Sequence, residues 1–129
     1  MHAVGAVHPR MVRWTNCIYK CILLMTFEWD AAKSTRNWQQ RGFDFAFASL
    51  VFEGTYVECD DTRRDYGERR VIALGLADGV PLTVVFTDRV DADGGVVRRL
   101  ISARVSHKKE RRRYAESLKA IQSFVEGSG

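Results

Sequence analysis

The sequence predicts a single α+β domain in which two short helices precede an antiparallel sheet and one longer helix follows it. Three observations support this prediction. The chain has 129 residues, 46% of them hydrophobic, which suits one core and is too short for two domains with separate cores. Apolar residues recur at helical spacing in the first part of the chain and again after Ser106. Between these two parts the apolar residues alternate, as they do in strands.

The N-terminal part of the domain is predicted to hold one strand and two helices. Residues 26–29 have the pattern of a short strand, and Asp30 is expected to be the N-cap of a helix that runs to about Gln40. Gly42 is expected to end this helix, and Asp44 is expected to cap the next one. The second helix is predicted from apolar residues at helical spacing, which are Phe45, Ala48 and Phe52.

Four strands and a final helix complete the predicted fold. The strands are expected at residues 55–59, 69–76, 81–88 and 96–105. An antiparallel meander is the simplest topology for strands that are joined by short turns. The helix is expected from about Ser106, with an apolar stripe formed by Tyr114, Leu118, Ile121 and Val125. This stripe turns polar at its N-terminal end, where Glu110 is expected to orient an arginine of a binding site.

Residues 1–24 are predicted to lie outside the folded domain, which is expected to span residues 25–125. The apolar run at residues 21–25 is short, follows Lys20 and lacks a small-residue cleavage site, so the sequence favours neither a secretion signal nor a membrane span. The residues that follow Met25 have the pattern of a strand and then of the start of a helix. Residues 1–24 are therefore expected to be either a disordered arm or the product of a wrongly assigned start.

The three cysteines indicate neither a disulfide framework nor a zinc site. They are odd in number, form no C-x-x-C pair and have no histidine beside them at ligand spacing. Such a set suits a reducing compartment, and the sequence therefore predicts a cytoplasmic protein.

Positive charge is concentrated in the second half of the chain. The formal net charge is +4, and residues 89–113 contain nine bases against three acids. A local excess of this kind suits a partner that carries phosphates, although a solvated helix face would have the same composition.

Arginines recur on one side of the predicted strands. Side chains alternate across a strand, so Arg69 shares a face with Val71, and Arg89 shares a face with Thr87. The last strand is expected to place Arg98, Ser102 and Arg104 on one face. If the polar faces coincide, Arg69, Arg89 and Arg104 line one shallow groove. The alternative is that they are ordinary solvent-side arginines, because strand register is not visible in the sequence.

Several segments of the sequence resemble the BrnT toxins, in the expected order over residues 25–115. They are FEWDAAKSTRN at 27–37, Gly42, Phe45, GERR at 67–70, TDR at 87–89, and RLISAR with KKERRRY within 99–114. The resemblance implies a RelE-like ribonuclease fold and growth arrest through RNA cleavage. It also implies a partner, a BrnA-like antitoxin with a ribbon-helix-helix DNA-binding domain, through which alone the toxin would contact DNA.

The sequence departs from the family at Arg41. The family commonly has lysine-histidine-glycine where this chain has Gln40, Arg41 and Gly42. Arginine is effectively always protonated, so it cannot replace a histidine that transfers protons. Either another group takes that role, or the position contacts phosphate or the antitoxin and arginine serves as well.

The chemistry expected of such a toxin needs a base, an acid and cations, and neither a metal nor another cofactor. Glu68 is the predicted general base, the alternative being a surface carboxylate paired with Arg69 or Arg70. The predicted phosphate clamp consists of Arg69, Arg89 and Arg104. His107 is an alternative acid or base, because the positive end of the last helix favours loss of its proton. Further RNA contacts are expected from Lys33, Arg41, Arg99, Lys108 and Arg111.

The sequence therefore predicts the toxin of a type II toxin–antitoxin pair, a metal-independent endoribonuclease. Two alternatives stay open. One is a catalytically weak RNA- or ribosome-binding module, since groove arginines serve binding and cleavage alike. The other is a co-repressor that regulates transcription through its antitoxin.

Overall fold

The structure is a computed structural model that describes residues 2–11 and 22–127. Its elements in chain order are β1 (His2–Met11), β2 (Ile22–Asp30), α1 (Ala31–Arg41), α2 (Phe45–Ala48), a 3-10 helix (Ser49–Glu53), β3 (Val57–Asp60), β4 (Val71–Ala77), β5 (Val80–Val90), β6 (Val96–Val105) and α3 (Lys108–Gly127). The predicted α+β class, with a mostly antiparallel sheet, is confirmed.

The described strands form one six-stranded sheet in the order β1-β2-β6-β5-β4-β3. Strands β3 to β6 make the predicted antiparallel meander. Strand β2 extends the meander by pairing in parallel with β6, so that Trp29 lies opposite Leu100. A parallel pair needs a long connection, and here α1, α2 and the first three meander strands provide it.

Residues 2–11 form strand β1, in a segment that the sequence predicts to be either a disordered arm or the product of a wrongly assigned start. Strand β1 pairs antiparallel with β2, from His2 opposite Asp30 to Met11 opposite Ile22. This pairing satisfies backbone groups along the edge of β2 that does not face β6. Residue 1 and residues 12–21 lie outside the described residues, and the position of the true start stays a prediction.

The predicted helix caps are confirmed. A side-chain oxygen of Asp30 accepts hydrogen bonds from the backbone N–H groups of Ala32 at 2.9 Å and Lys33 at 3.1 Å. Gly42 ends α1 with φ of 85°, a left-handed conformation that favours glycine. Asp44 caps α2 through the backbone N–H of Phe47 at 2.9 Å.

The core lies between one face of the sheet and the segment formed by α2 and the 3-10 helix. Phe52 packs against Phe27 and Phe86, with ring centroids 5.6 Å and 5.2 Å away. A Cβ atom at Gly75 would lie 2.8 Å from a side-chain carbon of Val51, so glycine permits this close approach of the 3-10 helix to β4. We call the opposite face of the sheet, which carries Thr87, Arg89 and Arg99, the open face.

In two places the sheet puts an arginine on a different face from the one that the sequence predicts. Val85 lies opposite Ser102 and Phe86 opposite Leu100, so β6 has one extra residue at Ile101. Such a bulge exchanges the two faces beyond it. Arg98 therefore lies in the core, 5% exposed, and does not share the face of Ser102 as predicted.

Strand β4 gives the second correction. Val71 lies opposite Phe86, on the core side of the sheet. The residue that continues the open face beside Thr87 is therefore Arg70, whereas the sequence predicts Arg69 for that place.

Candidate functional site

A groove crosses the open face of the sheet where β2, β6, β5 and the segment before β4 come together. Its volume is about 530 Å³. The cations that line it are Lys33, Arg69, Arg70, Arg89 and Arg99, and the carboxylates are Glu28, Asp30, Glu68 and Asp88. We call this surface the groove. It combines positive charge with carboxylates, which are the two kinds of group that phosphodiester chemistry requires.

Arg89 and Glu28 meet across the groove. The Glu28 carboxylate accepts a hydrogen bond from Arg89 at 2.9 Å. The Arg89 side chain is 58% exposed and that of Glu28 is 12% exposed, so the carboxylate anchors a guanidinium that stays accessible to a ligand. Glu28 is not among the site residues predicted from the sequence. Its signal was available, because Phe27 and Trp29 flank it, and alternation then directs Glu28 away from the core.

Glu68 and Arg70 lie together on the groove wall, 3.5 Å apart. This contact is the surface pairing with Arg70 that the sequence allows as the alternative to a catalytic role of Glu68. The Arg70 guanidinium carbon lies 3.9 Å from the centre of the Tyr66 ring. Its Nε atom is buried and has no hydrogen-bond partner among the described residues. Arg70, which was not among the predicted site residues, therefore carries a fixed donor with spare capacity.

Arg69 lines the groove from a more exposed position. Its guanidinium binds the Asp60 carboxylate, with Nε 3.0 Å from Oδ1. Its backbone carbonyl accepts a hydrogen bond from the Thr87 hydroxyl at 2.7 Å, which fixes the start of β4 to β5. Arg69 and Arg89 thus border one groove, as predicted. Arg69 does so from the segment before β4, in which Arg70 and not Arg69 continues the open face.

Arg104 lies away from these two arginines. It is on the same face of the sheet but opposite Thr83, six residues along β5 from Arg89, which at the usual strand rise is about 20 Å. Both of its terminal nitrogens bind the Glu110 carboxylate at 2.7 Å. The predicted three-arginine phosphate clamp is therefore not formed. Glu110 does orient an arginine, as predicted, but that arginine joins α3 to β6.

The remaining residues predicted for the C-terminal part surround the start of α3. The backbone N–H of His107 donates to Glu110 at 2.7 Å, and the His107 residue is exposed. Arg111 donates to the Ser106 carbonyl at 2.7 Å. Lys108 is exposed on the first turn of α3. The structure thus separates Arg104, His107, Lys108 and Arg111 from the groove that holds Lys33, Glu68, Arg69, Arg89 and Arg99.

Arg41 joins α1 to the sheet. One terminal nitrogen donates to the side chain of Asn37 at 2.8 Å and to the backbone carbonyl of Ala103 at 3.0 Å. Asn37 in turn donates to the carbonyl of Phe43 at 2.9 Å. The arginine that replaces the family histidine therefore makes structural contacts, at the border of a smaller cavity that also contains Lys33 and Ser102.

The contact between Arg104 and Glu110 predicts a pH-dependent stability. The Arg104 hydrogen bonds lower the pKa of Glu110 to about 2 against the partial desolvation of the carboxyl. A lowered pKa stabilises the fold fully above about pH 4.5, and this contribution is lost as the pH falls toward 2. We expect Glu110→Gln to be less stable than wild type at pH 7 and the difference to narrow toward pH 2. Urea unfolding of both proteins at several pH values between 7 and 2 measures this difference in the free energy of unfolding.

The matched control is Glu116→Gln, at an exposed position of the same helix. This variant should differ little from wild type at any pH. A constant difference between wild type and Glu110→Gln from pH 7 to pH 2 would contradict the assigned role of the pair.

Comparison with protein-family models gives a match over residues 29–110, which is more than half of the chain, to the ribonuclease toxin BrnT of type II toxin–antitoxin systems. The chain belongs to the BrnT family. Membership identifies it as a ribonuclease toxin and implies an RNA substrate and an antitoxin partner. A search of curated proteins finds no match.

The BrnT match includes all five cations of the groove and the pair formed by Arg104 and Glu110. It begins directly after Glu28. Among the described residues, no helix combines the length and the apolar character that crossing a membrane requires.

Proposed function

We propose that this BrnT protein is a metal-independent endoribonuclease whose groove binds and cleaves RNA, arresting growth from within the cytoplasm. The observation that carries the proposal is the gathering of five cations with Glu28 and Glu68 around one groove. A basic surface alone would serve any polyanion. The carboxylates among these cations add groups that can accept a proton, which binding does not require.

In the proposed reaction, Glu68 acts as the base, and the groove arginines stabilise the transition state. Glu68 removes the proton from a ribose 2′-hydroxyl, and the 2′-oxygen attacks the adjacent phosphorus. The bond from phosphorus to the 5′-oxygen breaks, and that oxygen takes a proton from water, to which the groove is open. The products are a 2′,3′-cyclic phosphate and a 5′-hydroxyl. Arg89, Arg69 and Arg70 stabilise the negative charge that the phosphorane gains.

Glu28 has a positioning role in this proposal. It is mostly buried and bound to Arg89 at 2.9 Å, so it holds the guanidinium toward the groove. Preorganised donors of this kind stabilise a transition state without reorganising during the reaction. Lys33 and Arg99 extend the cationic surface along the bound RNA.

The proposal extends to the fold family and the partner. The meander of β3 to β6, preceded by α1 and α2 and followed by α3, supports a RelE-like fold. The partner that we propose is a BrnA-like ribbon-helix-helix antitoxin that covers the groove and connects the toxin to DNA. Acidic groups of such a partner would replace RNA phosphates on the same arginines.

The test is incubation of the purified chain with single-stranded RNA in EDTA, followed by analysis of the product ends. We expect 2′,3′-cyclic phosphate and 5′-hydroxyl ends from wild type, and strongly reduced cleavage by Glu68→Gln. RNA binding without cleavage would favour the RNA-binding module instead. Cleavage that stops in EDTA and returns with Mg²⁺ would contradict the metal-independent mechanism.

A further inference from the structure

The segment between β3 and β4, residues 61–70, has a fixed shape because of Asp61. The Asp61 side chain is fully buried, and its two oxygens accept hydrogen bonds from Nε and a terminal nitrogen of Arg63 at 2.8 Å and 2.7 Å. These bonds lower the pKa of Asp61 to about 2. Its backbone N–H donates to the Arg70 carbonyl at 2.8 Å and so closes the segment. The backbone of this loop and the side chains of Asp61 and Arg63 are therefore held in place before a ligand arrives.

A cavity of about 430 Å³ lies between this loop and the open face of the sheet. Its charged lining residues are all cations, namely Lys33, Arg63, Arg64 and Arg70, and Tyr66 and Ser102 complete its polar lining. The groove differs, since carboxylates also line it. Lys33 and Arg70 border both spaces, so a chain of phosphates can pass from the groove into the cavity. The volume lies within the range of small-molecule sites.

Tyr66 provides a flat surface within this cavity. Arg70 packs on the ring at 3.9 Å, whereas Arg64 lies over it at 5.7 Å and is exposed. A nucleobase is flat and can take the place of the loosely held Arg64 against the ring. The unpaired Nε–H of Arg70, buried beside the ring, is a donor for the phosphate of the same nucleotide.

We propose that this cavity is a nucleotide subsite, which binds one unpaired RNA nucleotide next to the phosphate that is cleaved. The base stacks on Tyr66, and the phosphate contacts Arg70 and Lys33. Stacking accepts every base, so the subsite selects single-stranded RNA over duplex RNA and has little sequence preference. The proposal rests on the proposed function for its position beside the cleaved bond.

The test uses a single-stranded 2′-O-methyl RNA oligonucleotide, which cannot be cleaved by 2′-oxygen attack, with 2-aminopurine at successive positions. Wild type should quench the fluorescence of at least one position strongly. Tyr66→Ala should abolish that quenching and weaken binding about 5- to 150-fold, as for other stacked bases. Tyr66→Phe should keep the quenching, because it retains the ring and loses only the hydroxyl contacts with Asp61 and Arg63.

Arg112→Ala is the matched charge control for Arg64→Ala, because both remove one exposed cation and Arg112 lies on α3 outside the cavity. Arg64→Ala should change the quenching at that position, and Arg112→Ala should not. Loss of quenching in Tyr66→Phe as well as Tyr66→Ala, with equal loss of thermal stability, would show a structural role and overturn the proposal.

Cleavage of unmodified RNA is measured on the same samples. Tyr66-dependent quenching without cleavage would refute the proposed ribonuclease mechanism and leave the nucleotide subsite established. Cleavage by wild type without Tyr66-dependent quenching at any position would refute the subsite and leave the ribonuclease mechanism intact.

Discussion

Replacing Arg89 with alanine is expected to slow RNA cleavage about 100- to 1000-fold, the effect of removing one preorganised donor from an anionic transition state. Arg89 is more than half exposed and held by Glu28 at 2.9 Å. Because the pair lies near the surface, the free energy of unfolding should fall by only about 1 kcal/mol. Initial rates at saturating RNA, measured together with melting temperature, separate the two effects.

Two further variants test whether the loss of cleavage is specific to the Arg89 guanidinium. Arg89→Lys should recover little activity, because lysine keeps the charge but loses the planar pair of donors. Arg112→Ala, on the exposed side of α3, should cleave RNA at the wild-type rate. Equal losses in Arg89→Ala and Arg112→Ala would show that net charge alone matters, and the groove would lose its assigned role.

The largest loss of stability is expected from Arg98→Ala, at about 3–5 kcal/mol. Arg98 is buried, donates to both Asp88 oxygens at 2.8 Å and to the Tyr56 hydroxyl at 3.0 Å, and lies 4.0 Å from the centre of the Phe86 ring. Burial acts to lower the pKa of Arg98, but these hydrogen bonds outweigh it and raise the pKa. Alanine would remove the hydrogen bonds and leave a cavity beside the aromatic rings.

Urea unfolding of Arg98→Ala beside Arg69→Ala measures this difference. Arg69 also pairs with an aspartate, Asp60, but both side chains are exposed, so its loss should cost about 0–1 kcal/mol. If Arg98→Ala does not fold, Tyr56→Phe provides a milder variant, which removes one hydrogen bond and should cost about 1 kcal/mol. Equal stability of Arg98→Ala and Arg69→Ala would contradict the structural role of Arg98.

The parts of the fold that depend on neighbours in the chain were predictable. Asp30, Gly42 and Asp44 act within one turn of the helix that each one caps, so their roles follow from residue type and spacing. The meander strands follow from alternation and turns in the same way. The contact between Glu110 and Arg104 was also accessible, since α3 begins directly after β6.

The site was only partly predictable because it depends on strand register. The extra residue at Ile101 moves Arg98 into the core and gives the open face to Arg99. Alternation within one strand contains no information about such a bulge, because it is defined by the partner strand. The same limit explains why Arg70 and not Arg69 continues the open face. The parallel pairing of β2 with β6 was missed because no local pattern identifies a distant partner.

That parallel pairing determines when the groove can assemble during synthesis of the chain. Glu28 enters the chain early, but it reaches Arg89 only across β6, whose last residue is Val105. Pairings between distant segments form late, and a chain grows from its N-terminus at roughly 5–20 residues per second. A copy whose translation stops before β6 therefore has the anchor and its arginine but no strand to bring them together. Fragments that end before β6 lack an assembled groove.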